Sequence, residues 1–245
     1  MKHQDLANTT DELIPAEISD ELAALAMDDR ANEVVHGGTI GTRAGILKYN
    51  GQTIPGNRLD VVVLNSAHEN RYYEGKYDAD DLASPVCFAL SASGSDMAPH
   101  PSSSAPQSDS CTTCPKNQWG SAAQGKGKAC KNTRRLALIP ASALESDTAI
   151  LSSEIAILRP PVTSVKRWAN YLSEVYALTR LTALGVITTI YTEPDEVSQF
   201  RLCMKLAGVV PKERLSTLLR RRALVDDVLM RPYEAHVEST KVEKF

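Results

Sequence analysis

Four of the five cysteines in this 245-residue chain lie between residues 87 and 130. Cys111 and Cys114 form a Cys-x-x-Cys pair; 23 residues separate Cys87 from this pair, and 15 separate the pair from Cys130. A Cys-x-x-Cys turn can direct two thiolates at one ion, and zinc sites usually join such a pair to ligands from elsewhere in the chain. The spacing therefore predicts a zinc site formed by Cys87, Cys111, Cys114 and Cys130.

Other interpretations of the cysteines remain open at this stage. A redox Cys-x-x-Cys usually opens a helix after a strand, whereas Ser-Asp-Ser and Pro115 flank this pair. The four cysteines could also be unconnected, and His68 or His100 could replace Cys87 as the fourth ligand. Cys203 stands alone in the sequence and is predicted to be a small buried apolar residue.

The predicted site is structural, because four cysteine ligands leave no open coordination position for water. The sequence contains no His-Glu-x-x-His pattern and no phosphate-binding Gly-x-x-x-x-Gly-Lys-Ser/Thr loop. The segment Gly125–Lys128 is too short for such a loop, and Gly37–Gly41 is not a dinucleotide-binding fingerprint. We therefore expect a protein that is not an enzyme.

A basic loop follows the Cys-x-x-Cys pair. Residues 111–144 contain six basic side chains and no acidic one. Lysines neutralise phosphates, and an indole offers a surface on which a base can stack. Tyrosines next to Arg71 provide another combination of aromatic and basic side chains. Trp119 could instead pack over the zinc site, and the tyrosines could belong to a core or a sheet edge. The predicted nucleic-acid-binding residues are Lys116, Trp119, Lys126, Lys128, Lys131, Arg134, Arg135, Tyr72 and Tyr73.

Composition and charge narrow the class of protein further. The hydrophobic fraction of 42% is enough for a buried core, and the net charge of −3 hides a charge of −7 on residues 1–35. No apolar run approaches the roughly 20 residues that a membrane span needs, and the N-terminal segment lacks a signal-peptide pattern. We expect a cytoplasmic protein with reduced cysteines rather than a disulfide framework.

The hydrophobic pattern predicts an α+β fold. Strands are expected at residues 59–64, 85–90, 136–140 and 149–158, with a helix from Val165 to near Gly185. A hairpin is expected over 186–206, and a last helix should follow Pro211. Many short strands with an insertion favour an OB-fold-like β-barrel with flanking helices. The predicted parts are an acidic, partly disordered segment 1–37, a core domain 38–230 with a zinc insertion 87–132, and a flexible tail 231–245.

Several strings resemble a group of uncharacterised bacteriophage and prophage proteins. These strings are Pro85-Val-Cys87, Cys111 to Ser121, Gly125 to Cys130 and Leu158 to Trp168, and the resemblance covers roughly residues 58–210. More distantly, the layout is similar to the zinc-containing single-stranded-DNA-binding proteins of T4-type phages, which are OB-folds with an inserted zinc subdomain.

The resemblance implies a single-stranded-DNA-binding protein of phage replication or recombination, acting in the cytoplasm of a bacterial host. It also implies Zn²⁺ as cofactor and single-stranded nucleic acid as partner, with DNA favoured over RNA. Replication or recombination proteins are further expected partners, and no membrane is expected. The alternative is a zinc-ribbon-type module for protein interaction or transcription regulation.

Overall fold

The structure is a computed structural model that describes residues 38–74, 84–196 and 198–233. These residues all belong to one compact unit, Gly38–Phe245. The predicted acidic segment 1–37 lies outside the described residues. The described part combines one curled, half-barrel sheet with a few helices, which confirms the predicted α+β class.

Nine strands form this sheet within the described residues. They run in the order β3-β2-β1-β7-β6-β4-β8-β9, and β5 pairs with β4 off this path. Only the β1–β7 pair is parallel among the described pairings. The strands are β1 (Gly38–Gly41), β2 (Lys48–Tyr49), β3 (Gln52–Thr53), β4 (Arg58–Tyr72), β5 (Cys87–Ser91), β6 (Lys131–Pro140), β7 (Ala156–Leu158), β8 (Val186–Asp195) and β9 (Gln199–Val209).

The long strand β4 organises the sheet in two parts. Its first residues pair with β8, its last residues pair with β5, and β6 runs along both parts. The β4–β6 register shifts between Val63 and Asn65, which marks a β-bulge. Bulges bend a strand and increase its twist. We call the part beyond the bulge the wing, consisting of residues 65–72, 87–91 and 131–137.

Hydrophobic residues cover both faces of the sheet, because successive side chains of a strand point to opposite sides. The helices are α1 (Asp147–Ser152), α2 (Val165–Thr179), α3 (Leu215–Ala223) and α4 (Asp226–Leu229). Val61 and Val63 join one core with the buried residues of α2, whereas Val62 and Leu64 join a second core with residues of α1, α3 and α4. The sheet is therefore a middle layer, with α2 on one side and the other three helices on the opposite side.

The structure confirms the helix after Pro211 and the hairpin formed by β8 and β9. It also confirms the predicted helix from Val165, but this helix ends at Thr179 rather than near Gly185, because Arg180 adopts a left-handed conformation. The strand predicted from residue 149 is wrong at its start, because residues 147–152 form α1. Ser146 caps this helix by accepting a hydrogen bond from the Ala149 N–H at 3.0 Å. A short capped helix thus replaces the first half of the expected strand.

Residues 231–233, which we expected to belong to a flexible tail, pack against the wing instead. The hydroxyl of Tyr233 donates to Glu69 Oε1 at 2.7 Å, and its ring meets the Phe88 ring edge-on at 5.0 Å. The remainder of the predicted tail, 234–245, lies outside the described residues. Among the described helices, none combines the length and the apolar character needed to cross a membrane.

Candidate metal centre and nucleic-acid interface

The four predicted ligands converge on one cavity at the wing. Cys87 opens β5 opposite Tyr72 of β4, and Cys130 immediately precedes β6. Cys111 and Cys114 come from the connection between these strands. All four side chains are buried, and all four line the same cavity. Strand pairing therefore brings Cys87 to the Cys-x-x-Cys pair despite the long intervening loop.

Hydrogen bonds fix the turn that carries the Cys-x-x-Cys pair. The side-chain amide of Asn117 donates to the Cys111 carbonyl at 2.7 Å, and the Asn117 backbone N–H donates to the Cys114 carbonyl at 3.0 Å. The Cys130 backbone N–H donates to the Lys116 carbonyl at 2.8 Å. This last bond ties Cys130 to the turn, so hydrogen bonds from the Asn117 side chain and from backbone groups hold all three cysteines of the loop together.

Burial disfavours the charged state of two thiols in this cavity, those of Cys130 and Cys111. Burial raises the pKa of Cys130 to about 12, and the neighbouring Cys111, Cys114 and Cys87 contribute to this rise by charge repulsion. Burial likewise raises the pKa of Cys111. Four thiolates in a buried site need a cation to balance their charge, and soft sulfur ligands suit Zn²⁺. The donor set therefore fits a structural zinc ion.

Over 38–74, 84–196 and 198–233, no group of three or more His, Cys, Asp or Glu side chains is arranged to hold a metal ion. The four cysteines line the same cavity. The support for zinc is therefore the type of these four side chains and their common location.

The two histidines considered as alternative ligands do not line the cavity. His100 stacks on Phe88 with ring centroids 4.8 Å apart, and its Nδ1 accepts the Ser102 N–H at 3.1 Å. His68 packs so closely on Gly94 that a Cβ there would collide with the imidazole ring. Cys87 is therefore the better-placed fourth ligand. All five cysteines are free thiols, and Cys203 is buried as predicted.

Trp119 is the most exposed large hydrophobic residue described, at 80%. Its indole does not pack over the cysteines. Lys128 Nζ lies 5.7 Å from the ring centroid, and Asn117 and Asn132 hold this ammonium group through their Oδ1 atoms at 3.3 Å and 3.1 Å. The loop thus presents an indole to solvent beside a fixed positive charge.

A second aromatic–cation pair lies next to the cavity. Lys116 Nζ is 5.1 Å from the ring centroid of Tyr72, which is half-buried. Tyr73 is exposed, and its hydroxyl accepts from Arg71 Nη1 at 3.4 Å. Tyr72 and Lys116 therefore line the cysteine cavity, while Trp119 and Lys128 form a separate pair on the loop.

The other predicted basic residues differ in exposure. Lys126 and Lys131 are exposed, and Lys131 Nζ donates to the Lys128 carbonyl at 3.0 Å. Arg134 is half-buried, and burial lowers its pKa. Its guanidinium donates to the carbonyl of Thr133 at 3.2 Å. These side chains extend the positive charge from the loop onto the start of β6.

Arg135 is not exposed beside the basic loop, and we remove it from the interface predicted there. It is 1% exposed, and its Nε donates to Glu69 Oε1 at 2.5 Å. Arg134 and Arg135 are adjacent in β6, so their side chains point to opposite faces of the wing. The hydrophobic pattern assigned both to the loop because it placed the start of the strand at Leu136 rather than Lys131.

A cluster of charged residues around Glu69 was missed entirely. Arg71 Nε lies 3.3 Å from Glu69 Oε2, and Arg159 Nε lies 3.4 Å from Glu69 Oε1. Tyr233 donates to the same carboxylate. Alternation in β4 places Glu69 and Arg71 on the face opposite Asn70 and the cysteines, but it does not show that another part of the chain covers that face.

Comparison with known proteins adds no relative. No protein-family model matches the chain, no curated protein matches it, and no solved structure matches it.

Proposed function

We propose that this protein binds single-stranded nucleic acid, with DNA favoured over RNA, and holds a structural zinc ion between Cys87, Cys111, Cys114 and Cys130. Phage replication or recombination is the proposed setting. The observation that carries the proposal is the indole of Trp119, 80% exposed in a basic loop tied to the cysteine cavity. An exposed indole among lysines provides the stacking surface and the positive charge that proteins use to bind single strands.

The proposal includes an OB-fold-like barrel, and this is its least specific part. An OB-fold is a five-stranded Greek-key barrel. The sheet here has nine described strands, including a parallel pair. Its curvature and the cysteine-bearing connection between β5 and β6 support a comparison with barrels that carry a zinc insertion. The proposed function does not depend on that comparison.

Base stacking explains the chemistry of the loop. Lys128 lies on the Trp119 ring and is held there by two asparagines. A base can stack on the exposed part of the indole, while lysines neutralise the neighbouring phosphates. Tyr72 with Lys116 provides a second aromatic–cation pair for the next part of the strand. Stacking is tolerant of sequence because every base has an aromatic face.

Replacing Trp119 with Ala is expected to weaken binding of a labelled single-stranded oligonucleotide by about 1–3 kcal/mol. Fluorescence anisotropy at fixed salt measures the change. The matched control is Tyr176→Ala, since Tyr176 on α2 is also exposed, at 58%, with Arg180 lying 5.3 Å from its ring centroid. The control should bind normally. Equal affinity of the Trp119 variant and the wild type would contradict stacking at this residue.

Replacing Lys126 and Lys128 together with Ala is expected to weaken binding to all sequences alike. The slope of log affinity against log salt should become shallower by about 0.7 for each phosphate that the variant no longer neutralises. The control replaces two exposed lysines outside the loop, Lys205 and Lys212, with Ala. Comparing single with double strands, and DNA with RNA, in the same titrations defines the preferred partner. Failure to bind any oligonucleotide would reject the proposal and favour the zinc-ribbon interaction module.

A further inference from the structure

The wing carries a second group of positive charges on the face opposite the cysteine cavity. Arg71, Arg135 and Arg159 all reach the carboxylate of Glu69, at 3.3 Å, 2.5 Å and 3.4 Å. In the described part of the chain, Glu69 is the only carboxylate that forms an ion pair with any of these arginines. Three guanidinium groups thus share one negative charge.

One guanidinium donor of this group is unsatisfied. Arg135 Nη2 is buried and has no hydrogen-bond partner among the described residues. Arg71 Nε, in contrast, faces Glu69 Oε2 across the ion pair at 3.3 Å, although the pair lacks the geometry of a hydrogen bond. Buried polar groups nearly always have partners, so the unsatisfied Arg135 donor requires an explanation. Two positive charges beyond the one carboxylate, together with this donor, are suited to an anionic ligand.

The arginines are held in place for this role. Arg135 and Arg159 lie over the ring of Tyr233, with guanidinium carbons 5.0 Å and 5.5 Å from its centroid. The Arg135 side chain is 2% exposed, whereas those of Arg71 and Arg159 are 20% and 32% exposed. Arg135 therefore forms the base of the cluster, while the other two arginines reach solvent. An anion can approach from their side.

We propose that Arg71, Arg135 and Arg159 form an oxyanion site that binds a phosphate group. The planar guanidinium fork matches the oxygens of a phosphate, and several forks together recognise a dianion better than a carboxylate. The phosphate can be free in solution or belong to a nucleic acid. The site lies on the face of the wing opposite the cysteines and uses none of the loop residues that carry the function proposed above.

Thermal unfolding in inorganic phosphate tests this site. Wild-type protein should show a saturable rise in Tm over sodium chloride of equal ionic strength, about 3–5 °C at a tenfold excess over the dissociation constant. Arg159→Gln should lose the rise. The control Arg201→Gln alters a half-buried arginine that is paired with Glu193 outside the cluster, and this variant should keep the rise. If Arg159→Gln does not fold, Arg159→Lys retains the charge without the fork and should show a reduced rise.

Two results would overturn the proposal: no rise beyond chloride in the wild type, or an equal rise in the Arg159 variants. The first result would mean that phosphate does not bind this site, and the second that phosphate acts only as a general stabilising salt. Oligonucleotides with and without a 5′-phosphate then identify the source. Tighter binding of the phosphorylated end that depends on Arg159 would assign the site to nucleic acid. Equal binding of both ends, together with the Tm rise, would assign it to free phosphate.

Discussion

Protein with Cys111 or Cys130 replaced by Ser is expected to lose its zinc and the ordered structure of the cysteine loop. Between β5 and β6, the only described helical element is the 3-10 turn Pro115–Asn117. A loop with so little regular structure depends on its ligands, and structural zinc typically contributes about 10–16 kcal/mol of apparent binding free energy to folding. Elemental analysis of anaerobically purified protein should find one zinc per wild-type chain and little in either variant.

The control for this prediction is Cys203→Ser. Cys203 is buried between β8 and α2 residues and lies outside the cysteine cavity, so its variant should keep the zinc. Limited proteolysis adds a structural measurement, since the 92–130 loop should become cleavable in the Cys111 and Cys130 variants only. Wild-type protein that contains no metal after anaerobic purification would contradict the zinc site.

Local sequence signals predicted much of the fold. Apolar residues at helical spacing located α2, and alternation around a polar turn located the β8–β9 hairpin. The type and spacing of the cysteines also identified the residues that line one cavity. The helix and the hairpin are indicated by residues close together in the sequence, and the metal ligands by the small number of residue types that bind zinc. They could therefore be predicted without knowledge of how the rest of the chain packs.

The Glu69 cluster could not be predicted in the same way. Residues 65–72 have polar side chains on both faces of the strand, so the pattern does not show which face is covered. The covering group, Tyr233, is 164 residues away from Glu69 in the chain. Arg135 was assigned to a solvated loop for the same reason. Long-range packing decides whether such a charge is buried, and periodicity carries no information about it.

Glu69 is expected to be the carboxylate with the largest effect on stability. Burial alone would raise its pKa, but Arg71, Arg135 and Arg159 and the hydrogen bond from Tyr233 together hold the pKa below its usual range. A carboxylate with a lowered folded-state pKa stabilises the fold above its unfolded-state pKa. This contribution is lost as the pH falls from about 4.5 through the lower folded-state pKa. The protein should therefore lose stability in acid.

Replacing Glu69 with Gln should lower the free energy of unfolding by about 3–5 kcal/mol at neutral pH, because it leaves three arginines without their counter-ion. The same variant should show a weaker loss of stability between about pH 6 and about pH 3 than the wild type. Urea titrations at several pH values measure both effects. The control is Glu193→Gln, which removes an exposed partner of Arg201 and should change stability little. If the Glu69 and Glu193 variants were equally stable, the arginines would not depend on Glu69 for their charge balance, and the buried cluster would not stabilise the wing.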